Sequence, residues 1–324
     1  MPPQPSTTRR TTAIALGLLG GVLASVILVW ALGGSAGDVL RSLRGPLGAR
    51  VRAIHQLDET VGHSLRPGTM FRHREDPFDV EYHVDESGSR RVPGYGASRP
   101  QVLVLGDSWT FGHGVEDDQT YAARLQQAWP ERGVRNLGVM GYGTPHALLS
   151  LERALEVPGD VDLVLYGWTP IHLTRSYLRK TNLEATAGKR VPLLEIEKGR
   201  LVSKGLVGLE AAIPDSVPGL AGAEWRRTTA AIGRMRELVE ARGGRFVLVV
   251  LPGPDAIPAF AEHSRRMRRR MDRSGQETVD LQGDPGFPKS EDLFFEDDGH
   301  PTSRWNALVA EALVARLDPP PTHR

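Results

Sequence analysis

From Gln101 onward the chain alternates between short runs rich in apolar residues and longer segments whose apolar residues recur at helical spacing. The runs lie at 102–105, 134–139, 161–167, 245–251 and 277–281. Between them, "YAARLQQAW", "HALLSLERAL" (146–155) and "EWRRTTAAIGRMRELVEAR" (224–242) read as helices, and "SRWNALVAEALVARL" (303–317) reads as a last one. Gly243-Gly244 stops the third helix, and Pro252-Gly253-Pro254 closes the fourth run. A strand exposed on one face would alternate apolar with polar. Largely apolar runs separated by helices predict strands buried on both faces, in a parallel sheet. The expected fold class is α/β, a three-layer α/β/α sandwich around a parallel sheet of about five strands. Ligands of such sheets bind at the carboxyl ends of the strands.

Residues 172–222 break the alternation and read as an insertion over those ends. Within it, "VPLLEIEKGRLVSKG" predicts a hairpin turning at Lys198-Gly199. "RRMRRRMDR" (265–273) invites a nucleic-acid reading. Phe260, Met267 and Met271 form one helical stripe, so the arginines read better as the solvated face of a helix. Upstream, Val80, Tyr82 and Val84 alternate as in a strand.

The pattern changes at the N-terminus. Residues 1–11 are a polar tail. Residues 12–32, "TAIALGLLGGVLASVILVWAL", carry no charge. At ~1.5 Å per residue such a helix spans the ~30 Å bilayer core. It reads as an uncleaved transmembrane signal anchor; the alternative is a signal peptide cleaved after Ala36. Arg9 and Arg10 precede the span, and Arg41, Arg44, Arg50 and Arg52 follow it. Charge alone therefore does not set its direction. Segment order favours a single-pass membrane protein with its large domain extracytoplasmic. Residues 33–97 read as a membrane-proximal linker and N-terminal extension, and 98–318 as the main domain.

Composition narrows the chemistry. The 324 residues are 40% hydrophobic and 24% charged, with a net charge of +1 and no cysteine. No global field favours nucleic acid. Disulfides, thiolate nucleophiles and cysteine metal sites are excluded. There is no phosphate-binding Gly-x-x-x-x-Gly-Lys-Ser/Thr and no His-Glu-x-x-His. Gly33-Gly34-Ser35-Ala36-Gly37 matches a nucleophile elbow but follows the apolar span and no sheet strand. No cofactor and no metal is expected.

The first run ends in Gly106-Asp107-Ser108. These are turn and capping residues. They are also what a serine nucleophile at a strand end would look like, and such a serine needs a base, a group to orient the base, and oxyanion donors. Asp297-x-x-His300, just before the last helix, supplies a base and an orienting carboxylate at a spacing one turn can present together. In "NLGVMGYGT" (136–144), Gly141 can bring its backbone N–H to an oxyanion with no side chain in the way. A capping histidine and a plain glycine turn are the alternatives for these two.

Taken in order, Gly106-Asp107-Ser108, Asn136 to Gly141 and Asp297-x-x-His300 resemble the GDSL, or SGNH, hydrolase superfamily over 101–317. "GDSWTFGHGVEDDQTYAARL" and "NLGVMGYGT" resemble its membrane-anchored bacterial branch, often associated with surface polysaccharides. The resemblance implies the flavodoxin-like SGNH fold and ester chemistry. Ser108 would be the nucleophile, His300 the base and Asp297 its orienting partner. The amides of Ser108 and Gly141 would line the oxyanion hole. One block departs: where the superfamily places an Asn after the third strand, "YGWTPIHLTR" (166–175) has none. His172 stands there, either as a replacement donor or as a structural histidine. The implied activity is a serine esterase or deacylase acting on O-acyl groups of cell-envelope or exported glycans. A glycan O-acyltransferase with the same triad and a catalytically silent glycan-binding domain are the alternatives. The partners implied are an acylated glycan or small ester, and the membrane.

The anchor is open to a direct check. The full chain is expected to partition with membranes and to resist carbonate extraction. Soluble mature protein with an N-terminus at Gly37 would instead show a cleaved signal.

Overall fold

The computed structural model describes residues 54–175, 190–208, 220–254, 257–296 and 298–317. The apolar span at 12–32, the tail and the linker up to 53 lie outside these residues, as do parts of the 172–222 insertion. Among the described residues no helix is long and apolar enough to cross a membrane.

Two antiparallel hairpins come first. They pair β1 (His55–Asp58) with β2 (Gly62–Leu65), and β3 (Met70–Glu75) with β4 (Phe78–His83). Then β5 (Gln101–Leu105) runs into a one-turn helix, α1 (Ser108–Phe111), followed by α2 (Tyr121–Ala128). Next come β6 (Gly133–Asn136), α3 (Thr144–Glu156), β7 (Val161–Trp168) and the short α4 (Ile171–Arg175). A hairpin of β8 (Val191–Glu197) and β9 (Arg200–Val207) leads to α5 (Leu220–Glu240). The chain closes with β10 (Arg245–Val250), α6 (Pro258–Ser274), β11 (Thr278–Asp280) and α7 (Ser303–Arg316).

The five expected runs form one parallel sheet, in the order β11-β10-β7-β5-β6. Alternate residues supply its two cores. Val102, Val104, Leu165 and Val249 pack with Leu125 of α2 and Trp305 and Val309 of α7. Leu103, Leu105, Val164 and Val250 pack with Leu148 and Leu151 of α3 and with Ile232 and Met235 of α5. Each fully buried aliphatic side chain contributes roughly 1.5–3 kcal/mol, so apolar residues line both faces of the central strands, and a buried polar one such as Asn136 is hydrogen-bonded. The chain leaves β5 toward β6 on one side and returns to β7 on the other. The strand order therefore reverses at β5, and its carboxyl end opens at the switch point where doubly wound sheets bind ligands.

The β8–β9 hairpin turns at Lys198 and Gly199, whose φ values of 49° and 78° are the left-handed pair of a type I′ turn. Phe260, Met267 and Met271 of α6 are buried as the stripe predicted. Arg266 and Arg270 stack over the Trp225 ring, so two of the arginines cover an aromatic rather than standing as a basic patch.

The stretch from 54 to 97, expected as linker and extension, packs onto the strand ends. Asp58 accepts from the backbone N–H groups of Thr60 and Val61 and pairs with Arg153 of α3 through both carboxylate oxygens, at 2.7 and 2.9 Å. Glu116 accepts from the N–H of Glu81, and Asp117 pairs with Arg90 and His83. Arg90 is fully buried, its guanidinium over Tyr82 and Phe111.

Asn136 ties β6 to the turn after β5. Its Nδ2 donates to the Thr110 carbonyl at 2.8 Å and its Oδ1 accepts from Gly138 N–H at 3.0 Å. Asn136→Ala leaves both buried groups unpaired, at about 1–3 kcal/mol each. The variant is expected to lose about 2–6 kcal/mol in urea unfolding; an unchanged midpoint would show that the loop closes without this link.

Candidate active site

The backbone out of β5 has no room for side chains. A Cβ on Gly106 would sit 2.0 Å from Thr110 Oγ1. Asp107 caps α1, accepting from Trp109 N–H at 3.0 Å, and Gly112 ends the helix at φ 84°. Ser108 is thus the first residue of a single helical turn at the mouth of the sheet.

His300 reaches it from the other end of the domain. The loop before α7 closes on itself: Phe295 N–H donates to the His300 carbonyl at 2.9 Å, and Gly299 N–H donates to the Phe295 carbonyl at 2.7 Å. Within that loop the Ser108 hydroxyl lies 2.9 Å from His300 Nε2. His300 Nδ1 lies 2.5 and 3.0 Å from the two oxygens of Asp298. The carboxylate found on the imidazole is Asp298; the expected Asp297 lies outside the described residues. The spacing argument assumed one regular turn. Gly299, at φ 73°, instead doubles the chain back so that the residue two before His300 faces its ring.

A second imidazole completes the group. His113 Nε2 is 3.3 Å from Asp298 Oδ2, its ring centroid is 4.2 Å from that of His300, and its Nδ1 is 3.4 Å from Met140 Sδ. The His113 side chain is only 6% exposed. Burial pushes its pKa down to about 4; the bond to Asp298 opposes this and the nearby His300 adds to it. At neutral pH His113 is an uncharged donor through Nε2–H. Burial alone would raise the Asp298 carboxyl. The hydrogen bonds from His113 and His300 outweigh it and hold the group well below the usual carboxylate range. The wall behind His113 comes from the second hairpin: the His73 and Phe78 rings meet it edge-on, and the Tyr82 hydroxyl accepts from Gly114 N–H at 2.8 Å.

The ligand atoms of His113, Asp298 and His300 all lie within 4.8 Å of one another. The sequence, which shows no clustered metal ligands, hides this group because His113 and the Asp298 loop are far apart in the chain. One signal was readable: His113 stands between Gly112 and Gly114, at φ 84° and 82°, directly after the serine turn.

The glycine loop folds against α1. A Cβ on Gly138 would fall 2.4 Å from Phe111 N, and Gly141 adopts φ 87°. His63 Nε2 is 3.0 Å from the Met140 carbonyl, and the Tyr142 hydroxyl donates to the His63 carbonyl at 2.7 Å. Neither contact from β2 was visible in the sequence.

His172 does not stand as an oxyanion donor. Its Nδ1 is 2.8 Å from the Tyr166 hydroxyl and its Nε2 is 3.2 Å from Asp107 Oδ2, so both ring nitrogens are engaged behind the serine turn. Arg175 joins the same Asp107 oxygen at 2.7 Å and also donates to the Tyr142 carbonyl at 2.8 Å. Burial would raise the Asp107 carboxyl, but His172 and Arg175 hold it well below the carboxylate range. His172 is the structural histidine of the two readings.

No family model matches the chain, and no curated protein matches it. Solved structures do. A member of the lipolytic protein G-D-S-L family from Veillonella parvula aligns at 11% identity and TM-score 0.42, over 66% of this chain and 96% of that one. A GDSL-like lipase from Bacteroides thetaiotaomicron aligns at 13% and 0.41, over 67% and 87%. The SGNH-hydrolase family esterase AlinE4 aligns at 17% and 0.38, over 68% and 93%.

His172→Ala removes one of the two nitrogen-bearing partners of buried Asp107. It is expected to destabilise the fold by about 3 kcal/mol, since breaking a buried pair leaves charge uncompensated. A denaturation midpoint equal to that of the parent would contradict the pairing.

Proposed function

We propose that the chain is a serine esterase that cleaves carboxylic esters through a Ser108–His300–Asp298 triad. The observation that carries this is the hydrogen-bonded series Ser108 Oγ to His300 Nε2, and His300 Nδ1 to Asp298, at the switch point of a parallel sheet. A serine hydroxyl is a weak nucleophile until a base removes its proton. His300 Nε2 accepts that proton as Oγ attacks the acyl carbon. Asp298 holds the proton on Nδ1, which keeps the Nε2 lone pair on the serine and stabilises the imidazolium. The imidazolium then protonates the departing alcohol. Water attacks the acyl-serine by the reverse sequence, giving the acid and restoring the hydroxyl.

The tetrahedral oxygen is assigned to the backbone amides of Ser108 and Gly141. In a planar trans peptide the N–H points opposite the C=O. The contact of His63 with the Met140 carbonyl therefore also orients the N–H of Gly141. The finer proposal is an O-acyl ester on a cell-envelope or exported glycan. It is supported by the uncharged span at 12–32 and by the likeness of the serine and glycine motifs to the membrane-anchored branch.

Hydrolysis of a short aryl ester tests the reading. Ser108→Ala and His300→Ala are each expected to abolish turnover above background, because triad members act as a unit. Wild-type turnover in Ser108→Ala would reduce the serine to a turn residue. Asp298→Asn is expected to lower kcat by roughly 10⁴, the scale seen where a carboxylate that fixes the histidine tautomer is lost. Asp297→Asn is expected to stay within about threefold of the parent; the opposite ranking of these two variants would return the role to Asp297.

A further inference from the structure

We propose that His113, Asp298 and His300 form a divalent-metal site that switches the serine centre off. The switching half rests on the esterase reading above; the binding half does not. Two imidazoles and a carboxylate are the donor set that borderline ions such as zinc prefer. The donor atoms are already gathered. His113 Nε2 and Asp298 Oδ2 are 3.3 Å apart, and His300 Nδ1 and Asp298 Oδ2 are 3.0 Å apart. Ligand atoms about 2.0–2.2 Å from a tetrahedral zinc stand roughly 3.3–3.6 Å from one another. The His113 ring is buried and the His300 ring partly buried, tilted 37° from each other with centroids 4.2 Å apart, so the ion is reached by small rotations of the two rings.

The second observation is what stands behind each ring. Metal-bound histidines hold their remaining N–H on an acceptor. Met140 Sδ lies 3.4 Å from His113 Nδ1, and Ser108 Oγ lies 2.9 Å from His300 Nε2. In the metal-free network each ring carries its proton on the nitrogen facing Asp298. A metal taking those two nitrogens moves each proton to the opposite nitrogen of the same ring, so the tautomers reverse and no proton is lost overall. The His113 proton then points at the Met140 sulfur, a weak acceptor. The His300 proton points at Ser108 Oγ. Nε2 has become a donor and cannot receive the serine proton, so the nucleophile loses its base while Ser108 stays in place.

The test uses the purified full chain after chelator treatment, with Zn²⁺ alone as the inhibitor and Co²⁺ alone as the spectroscopic probe. One equivalent of Zn²⁺ is expected to lower aryl-ester hydrolysis at least tenfold, and chelator is expected to restore it. Co²⁺ is expected to give the visible bands of a low-coordinate nitrogen and oxygen site. Ser108→Ala, which removes no ligand, should keep those bands without any turnover. His113→Phe keeps an aromatic ring against His300 and removes the ligand. Its inhibition constant, each rate taken against its own metal-free value, should rise at least tenfold and its cobalt bands should vanish. His300→Gln carries the same cobalt test if His113→Phe does not fold. Cobalt bands absent from the parent, bands retained in the ligand variants, or equal zinc inhibition of the parent and His113→Phe would overturn the site. A parent that hydrolyses nothing yet binds Co²⁺ through His113 would keep the metal site and remove the esterase reading.

Discussion

Gly106 is pressed so closely against Thr110 that any side chain would collide, and the placement of the serine depends on that contact. A buried strand must pass into a helical turn within two residues. Only a residue without a Cβ allows it, and only a short acceptor such as Asp107 can then cap the turn at Trp109. Gly138 is held to Phe111 by the same close packing, so the glycine loop lies against the serine turn. Asn136 bridges the two backbones with one side chain. Around Ser108 the backbone of Gly106 lies against the Thr110 side chain and that of Gly138 against the α1 backbone, which explains why glycines are so dense there.

The charges follow a parallel logic. Asp107 and Asp298 are both buried carboxylates, and each is kept ionised by two nitrogen-bearing partners. Asp107 takes His172 and Arg175 and is spent on holding the turn and α4 together. Asp298 takes His300 and His113 and faces the serine. A buried carboxylate with one partner removed would be costly, so the partners of each are as much part of the site as the carboxylates. That is why the hairpins from 54 to 84 belong to it. His73, Phe78 and Tyr82 wall in His113, and His63 holds the peptide before Gly141.

Much of the fold was legible because burial on both faces leaves runs rich in apolar residues, clearest in β5, β7 and β10. Strands β1 to β3, "HQLD", "GHSL" and "MFRHRE", carry no such pattern. The first hairpin is held by polar bonds such as those of Asp58, and the second by bonds from its β4 partner to Glu116 and Asp117, which local periodicity does not register. Ser108 and His300 could be read from their motifs. The partner of His300 could not be fixed to the residue: Asp297 and Asp298 are adjacent and alike, and spacing does not register the left-handed turn at Gly299 beside which Asp298 meets the ring. His172 looked available because nothing in sequence shows that Asp107 and Tyr166 occupy its ring. His113 acquires its meaning only when the last loop folds over it.

The central claim is that Ser108 is chemically set apart from the other serines of this chain by His300. A fluorophosphonate reacts with a serine in proportion to that activation. Labelling the purified protein and mapping the adduct by peptide mass tests the claim most directly. The account predicts one adduct, on Ser108, formed on the intact chain and lost when His300 is replaced by alanine. Labelling spread over several serines, or an undiminished Ser108 adduct without His300, would contradict it.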